Sequence, residues 1–206
     1  AFYEDHEGRI WMGGTRGVLC EDHGREKLYT TTNGLSNGDV RVIYQDRKAD
    51  IWFGTYGGGL NRLHDGRITS YATTNGAYNN RAWWIHEDAD GVFWVGSEDG
   101  LNRFVPPVGD GVRRLTSKTR NEQSFLTSAT TRESGGADRF FTFTTRHGLH
   151  ENAVNNIQED EFGYLWLSGL QGISRCGPEG SEGRLDTARG DARRRDPEPP
   201  RLARGP

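Results

Sequence analysis

Apolar residues fall along this chain in short runs, each ended by Gly, Asn or Asp. The clearest are Val40 to Gln45, Ile51 to Thr55, Leu60 to Leu63 and Ile68 to Thr73. They are rich in Val, Ile, Trp, Tyr and Thr and too short for helices, and no window carries a helical stripe of useful length, so they predict strands. The turn between the first two runs is one copy of a phrase that occurs four times: Asp, two residues, a third that is usually Gly, one more, an apolar residue, Trp. The copies are Asp5, Gly8 and Trp11; Asp46, Ala49 and Trp52; Asp88, Gly91 and Trp94; Asp160, Gly163 and Trp166. Asp folds its side chain onto the backbone at a turn entry, and Gly takes the left-handed conformation that closes a bulged loop. Ala49 is less comfortable there, so the second turn is expected to use Asp50 instead.

Successive tryptophans lie 41, 42 and 72 residues apart. The last three repeats also carry a small apolar residue twelve before the Trp (Val40, Ala82, Val154) and an Ile nine before it (Ile43, Ile85, Ile157), and all four carry a Gly plus apolar residue after it (Gly17 and Val18, Gly59 and Leu60, Gly100 and Leu101, Gly172 and Ile173). Four strands in about 40–45 residues is the length of a propeller blade. A four-stranded sheet buries its faces only by stacking on its neighbours, which gives the tryptophans a place in the core between blades. The fold expected is all-β: a β-propeller fragment of about three and a half to four antiparallel four-stranded blades, not closed. Blade 1 is partial (1–35), blade 2 spans 36–77, blade 3 spans 78–149 with an inserted loop at 105–139, and blade 4 is partial (150–175). Strand d of blade 3 resumes at Phe140 to Phe143. An open arc leaves edges that invite association.

From Cys176 onward there is no aromatic residue and no Val, Ile, Lys or Asn. Residues 176–206 are expected to be disordered, either as a natural linker or as an out-of-frame read through GC-rich DNA. The net charge of −3 argues against a nucleic-acid partner. Two cysteines, one of them in the tail, make neither a disulfide framework nor a zinc set. No apolar run reaches the length of a membrane span.

The chemical motifs read as structure. His147 and His150 lack further ligands for a metal, and His147 fills the turn slot of Asn33 and Asn75. Asp88 to Gly91 lacks the distal ligands of a calcium loop. Glu87 and Asp88, like Glu159 and Asp160, resemble an acid/base pair but recur at one repeat position. No set of nucleophile, base and orienter emerges, so no catalytic residue, metal or cofactor is assigned. What remains is a binding surface at the mouth of the channel, where the d–a and b–c connections emerge. The residue after Val40, Ala82 and Val154 varies (Arg41, Trp83, Asn155) while its neighbours repeat. With Tyr56, Tyr78, Asn79 and Asn80 these residues suit a sugar or other polar ligand, with aromatic faces for stacking and amides and a guanidinium for hydroxyls or acids. Two rivals stand beside a ligand-sensing propeller: a propeller enzyme of the lyase or hydrolase type, and a protein-interaction scaffold.

The repeat resembles the two-component regulator propeller repeat. The resemblance rests on Asn33 to Asn37, on Val40, Ile43 and Asp46, on Ile51 to Thr55, and on Gly59 to Arg62. It returns at Asp88 to Arg103 and Val154 to Arg175, and covers 1–104 and 140–175. It implies a non-catalytic piece of the periplasmic sensor region of a membrane-bound bacterial signalling protein. In that family seven-bladed propellers precede a β-sandwich, a membrane helix and a histidine kinase or other output domain, and many members respond to glycan fragments. An oligosaccharide ligand, a homodimer through the sensor region and membrane attachment only through segments outside these residues are what it implies for partners. The departures are Ala49 for Gly, Ser168 for Gly, Cys20 for Arg, and the inserted loop.

Overall fold

The computed structural model describes residues 1–72, 80–105 and 139–177. Among the described residues, fifteen strands form four separate antiparallel sheets in chain order. The first contains β1 (Phe2–Glu4), β2 (Ile10–Gly13), β3 (Val18–Asp22) and β4 (Arg25–Tyr29). The second contains β5 (Val40–Gln45), β6 (Ile51–Thr55), β7 (Leu60–His64) and β8 (Arg67–Tyr71). The third contains β9 (Trp84–Glu87), β10 (Phe93–Gly96), β11 (Leu101–Val105) and β12 (Arg139–Phe143), and the fourth β13 (Asn156–Glu159), β14 (Leu165–Ser168) and β15 (Ile173–Cys176). Every sheet is an up-and-down meander of neighbouring strands, the topology of propeller blades.

The expected strands of the second sheet are met at Val40–Gln45 and Ile51–Thr55, while the third reaches His64 and the fourth runs Arg67–Tyr71. Strand d of the third sheet does resume after the insertion, at Arg139. The last strand runs one residue past the expected start of the tail: Cys176 pairs with Leu165, packs against the core, and has its thiol pushed up to about 12 by burial. The rest of the tail and the bulk of the insertion lie outside the described residues.

The Asp phrase is one device used four times. In each copy one carboxylate oxygen accepts the backbone N–H groups two and four residues on: Glu7 and Arg9 on Asp5, Lys48 and Asp50 on Asp46, Asp90 and Val92 on Asp88, Phe162 and Tyr164 on Asp160. The other oxygen accepts the indole N–H of the Trp six residues on, at 2.6 to 2.8 Å. A hairpin turn is thereby tied to the aromatic that fills the joint between sheets. Burial alone raises the Asp5 carboxyl, but hydrogen bonds from Trp11, Arg9 and Glu7 outweigh it and hold the group below the usual carboxylate range.

The second turn does not shift to Asp50. Ala49 itself takes the left-handed conformation, φ 66°, beside 77°, 79° and 78° for Gly8, Gly91 and Gly163, because the paired bonds to Asp46 fix the turn. The left-handed region costs a non-glycine residue about 1–2 kcal/mol, whereas glycine loses about 0.4–1 kcal/mol more chain entropy on folding. Ala49→Gly is therefore expected to stabilise the protein by about 0.5–1 kcal/mol, read as a higher urea midpoint; a lower midpoint would contradict this account of the turn.

Three clusters of buried residues form the core, and each lies between adjacent sheets. Trp11 packs on Phe53 of the next sheet with centroids 5.7 Å apart, and Trp52 on Phe93 at 4.7 Å. Trp11, Trp52 and Trp94 are 1%, 1% and 8% exposed, whereas Trp166, in the last described sheet, is 38% exposed. The repeat Arg lies across the hairpin from its Trp, and Arg62 and Arg175 sit over the indoles of Trp52 and Trp166. Cys20 takes that position in the first sheet. Arg9, two residues before Trp11, supplies the cation instead, 5.5 Å from the ring.

Candidate ligand-binding surface

The d–a and b–c connections meet on one end of the sheets, and polar side chains pin them there. Asn61, fully buried, accepts the N–H of Ser36 and the hydroxyl of Ser70. Asn102, also fully buried, accepts the hydroxyl of Thr142. Before the second sheet Thr30 and Asn33 close a reciprocal cap on a short 3-10 turn, and Thr144 and His147 repeat it before the fourth. His147 thus serves as the turn residue its repeat position implies, accepting the Thr144 N–H at 3.0 Å.

The b–c turn of the second sheet, Tyr56 to Gly59, is held from both neighbouring connections. Tyr56 N–H donates to the Asp39 carbonyl and Asn37 Nδ2 to the Tyr56 carbonyl. From the other side the Asn80 carbonyl accepts the N–H groups of Gly57 and Gly59, both at 2.8 Å. This fixes Tyr56, 39% exposed, at the junction of the second and third sheets.

Arg41 reaches it because of a bulge. Val40 pairs with Thr55 and Val42 with Gly54, so Arg41 is the extra residue of β5, and a bulge re-aims its side chain out of the alternation of the strand. Its guanidinium lies 5.4 Å from the Tyr56 ring centre and donates to Asp39 at 2.7 Å. A second guanidinium, Arg81, lies 4.5 Å from the same ring and pairs with Glu98. The result is a row, Asp39, Arg41, Tyr56, Arg81, Glu98, in which two cations flank one aromatic and two carboxylates orient them. The Tyr56 ring, expected as a stacking platform, is engaged by both guanidinium groups. Both guanidinium groups and the phenol are partly exposed.

Of the residues expected at the site, the structure brings Arg41 and Tyr56 together. Asn80 adjoins them as a loop anchor, with φ 53° and its carbonyl on the Gly turn. Trp83 and Asn155 are half-buried, and their N–H groups close pairs with Gly96 and Ser168; among the described residues no contact joins either to the row. Tyr78 and Asn79 lie outside the described residues. Arg81, Asp39 and Glu98 carry no repeat signal and join only through the meeting of three connections.

Residues 34–57 and 79–99 match the family model described as two component regulator propeller. The fold is similar to the extracellular domain of a hybrid two component system from B. thetaiotaomicron, with 25% identity, a TM-score of 0.61, and 85% of this chain and 21% of that chain covered. A second such domain from B. thetaiotaomicron gives 20% identity and a TM-score of 0.63 over 89% of this chain and 24% of that one. Virginiamycin B lyase from Staphylococcus aureus shares the fold at 14% identity, with a TM-score of 0.60 over 93% of this chain and 56% of that one. The chain thus spans about a fifth to a quarter of the two sensor domains. No curated protein sequence matches it.

Proposed function

We propose, from the match of residues 34–57 and 79–99 to the two component regulator propeller model, that this chain is a ligand-sensing piece of the extracytoplasmic region of a bacterial two-component sensor, acting by binding and not by catalysis. The repeat match and the likeness to extracellular sensor domains support this reading. The observation that carries it is the flanking of Tyr56 by two guanidinium groups on the face where the variable connections meet. Forked donors of this kind suit ligands rich in hydroxyl and carboxylate oxygens, and an oligosaccharide is the class proposed. Ligand binding acts through the difference in affinity between two arrangements of the propeller and its partner domains.

Titration calorimetry of the purified chain against neutral and acidic oligosaccharides tests this. Binding is expected, and Arg81→Ala and Tyr56→Ala should each weaken it at least about tenfold, or 1.4 kcal/mol, with the melting temperature little changed because both residues are at the surface. Affinity untouched by both substitutions, or no binding across the panel, would remove the site.

A further inference from the structure

Both guanidinium groups of the row already hold a carboxylate. Arg41 Nη2 donates to Asp39 Oδ2 at 2.7 Å, and Arg81 Nη1 donates to Glu98 Oε2. Each bond uses one nitrogen of the fork, and a guanidinium carries five N–H donors. The row therefore keeps donors to offer while the charge of each cation is answered. Asp99 follows Glu98 in the same turn. Among the described residues of the connections that meet here (30–39, 56–59, 80–83 and 97–100), Arg81 is the one basic residue, and Arg41 joins it from the bulge. Three carboxylates thus stand with two guanidinium groups.

The carboxylates of the row keep an oxygen each. Asp39 Oδ1 and Glu98 Oε1 accept no hydrogen bond among the described residues. A sugar hydroxyl suits this surface on both counts, because it accepts from an N–H and donates to a carboxylate oxygen at once. An acidic group suits it badly. Arginines without carboxylates of their own take a ligand carboxylate in paired, charge-assisted bonds. Here that carboxylate would have to displace Asp39 or Glu98, or lie beside them. Asp39 and Arg81 are half-buried, where like charges are screened less than in open solvent. Like charge set against like is how a binding surface rejects a wrong partner.

We propose that the row selects neutral, hydroxyl-rich oligosaccharides against uronate-bearing ones, a choice that rests on the row being the ligand site of a sensing propeller. Arg41 and Arg81 supply donors to the ligand. Asp39 and Glu98 aim those donors, accept from hydroxyls and keep acids out, so they are the residues that set the preference.

Titration calorimetry of the full 206-residue chain with matched pairs of sugars tests this. The pairs are cellotetraose and mannotetraose, each beside the tetrauronate oxidised at C6 of every ring. At low salt a neutral member is expected to bind at least about tenfold more tightly than its uronate. Added salt should narrow the gap by raising the affinity for the uronate, since it screens repulsion. The double variant Asp39→Asn, Glu98→Gln keeps the side-chain shapes and removes two negative charges. It should bind the uronate at least about tenfold better than the wild-type chain does, with the melting temperature little changed. A uronate that binds the wild-type chain as tightly as its neutral partner, or loses affinity as salt is added, would overturn the selection and leave the row as a ligand site. A double variant that keeps the wild-type preference would take the choice away from Asp39 and Glu98. If no sugar of either kind binds, the sensing reading falls and the selection falls with it.

Discussion

Replacing Trp52 by alanine is expected to cost about 3–5 kcal/mol of stability from the lost aromatic alone. The side chain is 1% exposed and touches rings on both sides of a joint: Tyr71 at 5.7 Å in its own sheet, Phe93 at 4.7 Å and Phe104 at 5.8 Å in the next. It also donates its indole N–H to Asp46 at 2.8 Å. Asp46 is buried, so losing that donor leaves a carboxylate oxygen unpaired away from water, at a further cost of about 1–3 kcal/mol. Trp52→Phe separates the two effects, since it keeps most of the ring and loses the donor. Trp166 keeps the same bond to its own Asp160, yet no described sheet covers its outer face. Trp166→Ala, measured in dilute solution, should therefore cost at least about 2 kcal/mol less than Trp52→Ala, since the cost of truncation scales with the contacts and cavity it leaves. Urea denaturation of the variants gives the comparison. Equal losses at the two positions would mean that the joint is not where the tryptophan acts.

Gly59→Ala is expected to be nearly as damaging, by a different route. Gly59 has φ 77°, and a Cβ there would meet the Tyr71 carbonyl oxygen at 2.3 Å and the Ala72 Cα at 3.2 Å. Both are backbone atoms at the end of β8, so no side-chain rotation relieves the clash. The left-handed conformation costs alanine about 1–2 kcal/mol and forced overpacking about 1–3 kcal/mol, a combined loss of about 2–5 kcal/mol. The Gly59 N–H also donates to the Asn80 carbonyl, so a displaced turn should move Tyr56 and weaken ligand binding. Gly57 in the same turn supplies the control. Its φ is 100°, but the nearest atom to an added Cβ is 3.7 Å away, so Gly57→Ala should cost only the conformational 1–2 kcal/mol or so. Thermal melts of the two variants should differ by several degrees; coincident melts would show that the close approach to β8 is not limiting. Gly17 and Gly100 make the same approach to the carbonyls of Tyr29 and Phe143, so the constraint belongs to the repeat.

Much of the architecture is legible in the chain because a repeat exposes its own packing. Trp11, Trp52, Trp94 and Trp166 return at a blade-length period, and residues that recur together answer the same neighbours. The residues that fill the joints, from Ile43 and Phe53 to Ile157 and Leu165, recur for that reason. The Ala49 turn departs from its expectation because conformational preference belongs to one residue, whereas the paired hydrogen bonds to Asp46 hold the whole loop in register. The spacing of six between Asp and Trp is plain in the sequence, but its cause, a carboxylate shared between turn amides and an indole, needs the hairpin folded back on itself.

The candidate site is the harder case. Arg41 is marked in the sequence as a position that varies amid constancy, and Tyr56 as an aromatic in a Gly-rich turn. Arg81, Asp39 and Glu98 are ordinary loop residues there. The sequence by itself determined the strands, their grouping into four sheets and the place of Trp11, Trp52 and Trp94 between them, because those depend on local periodicity and on contacts repeated from sheet to sheet. Only the tertiary structure decided which side chains share a surface. Arg41 leaves its strand through a bulge, and Arg81 arrives from the following connection. The turn that carries Tyr56 is held between them by hydrogen bonds to Asp39, Asn37 and Asn80, residues 17 to 24 positions from Tyr56 in the chain, a meeting that occurs once and so leaves no period to read.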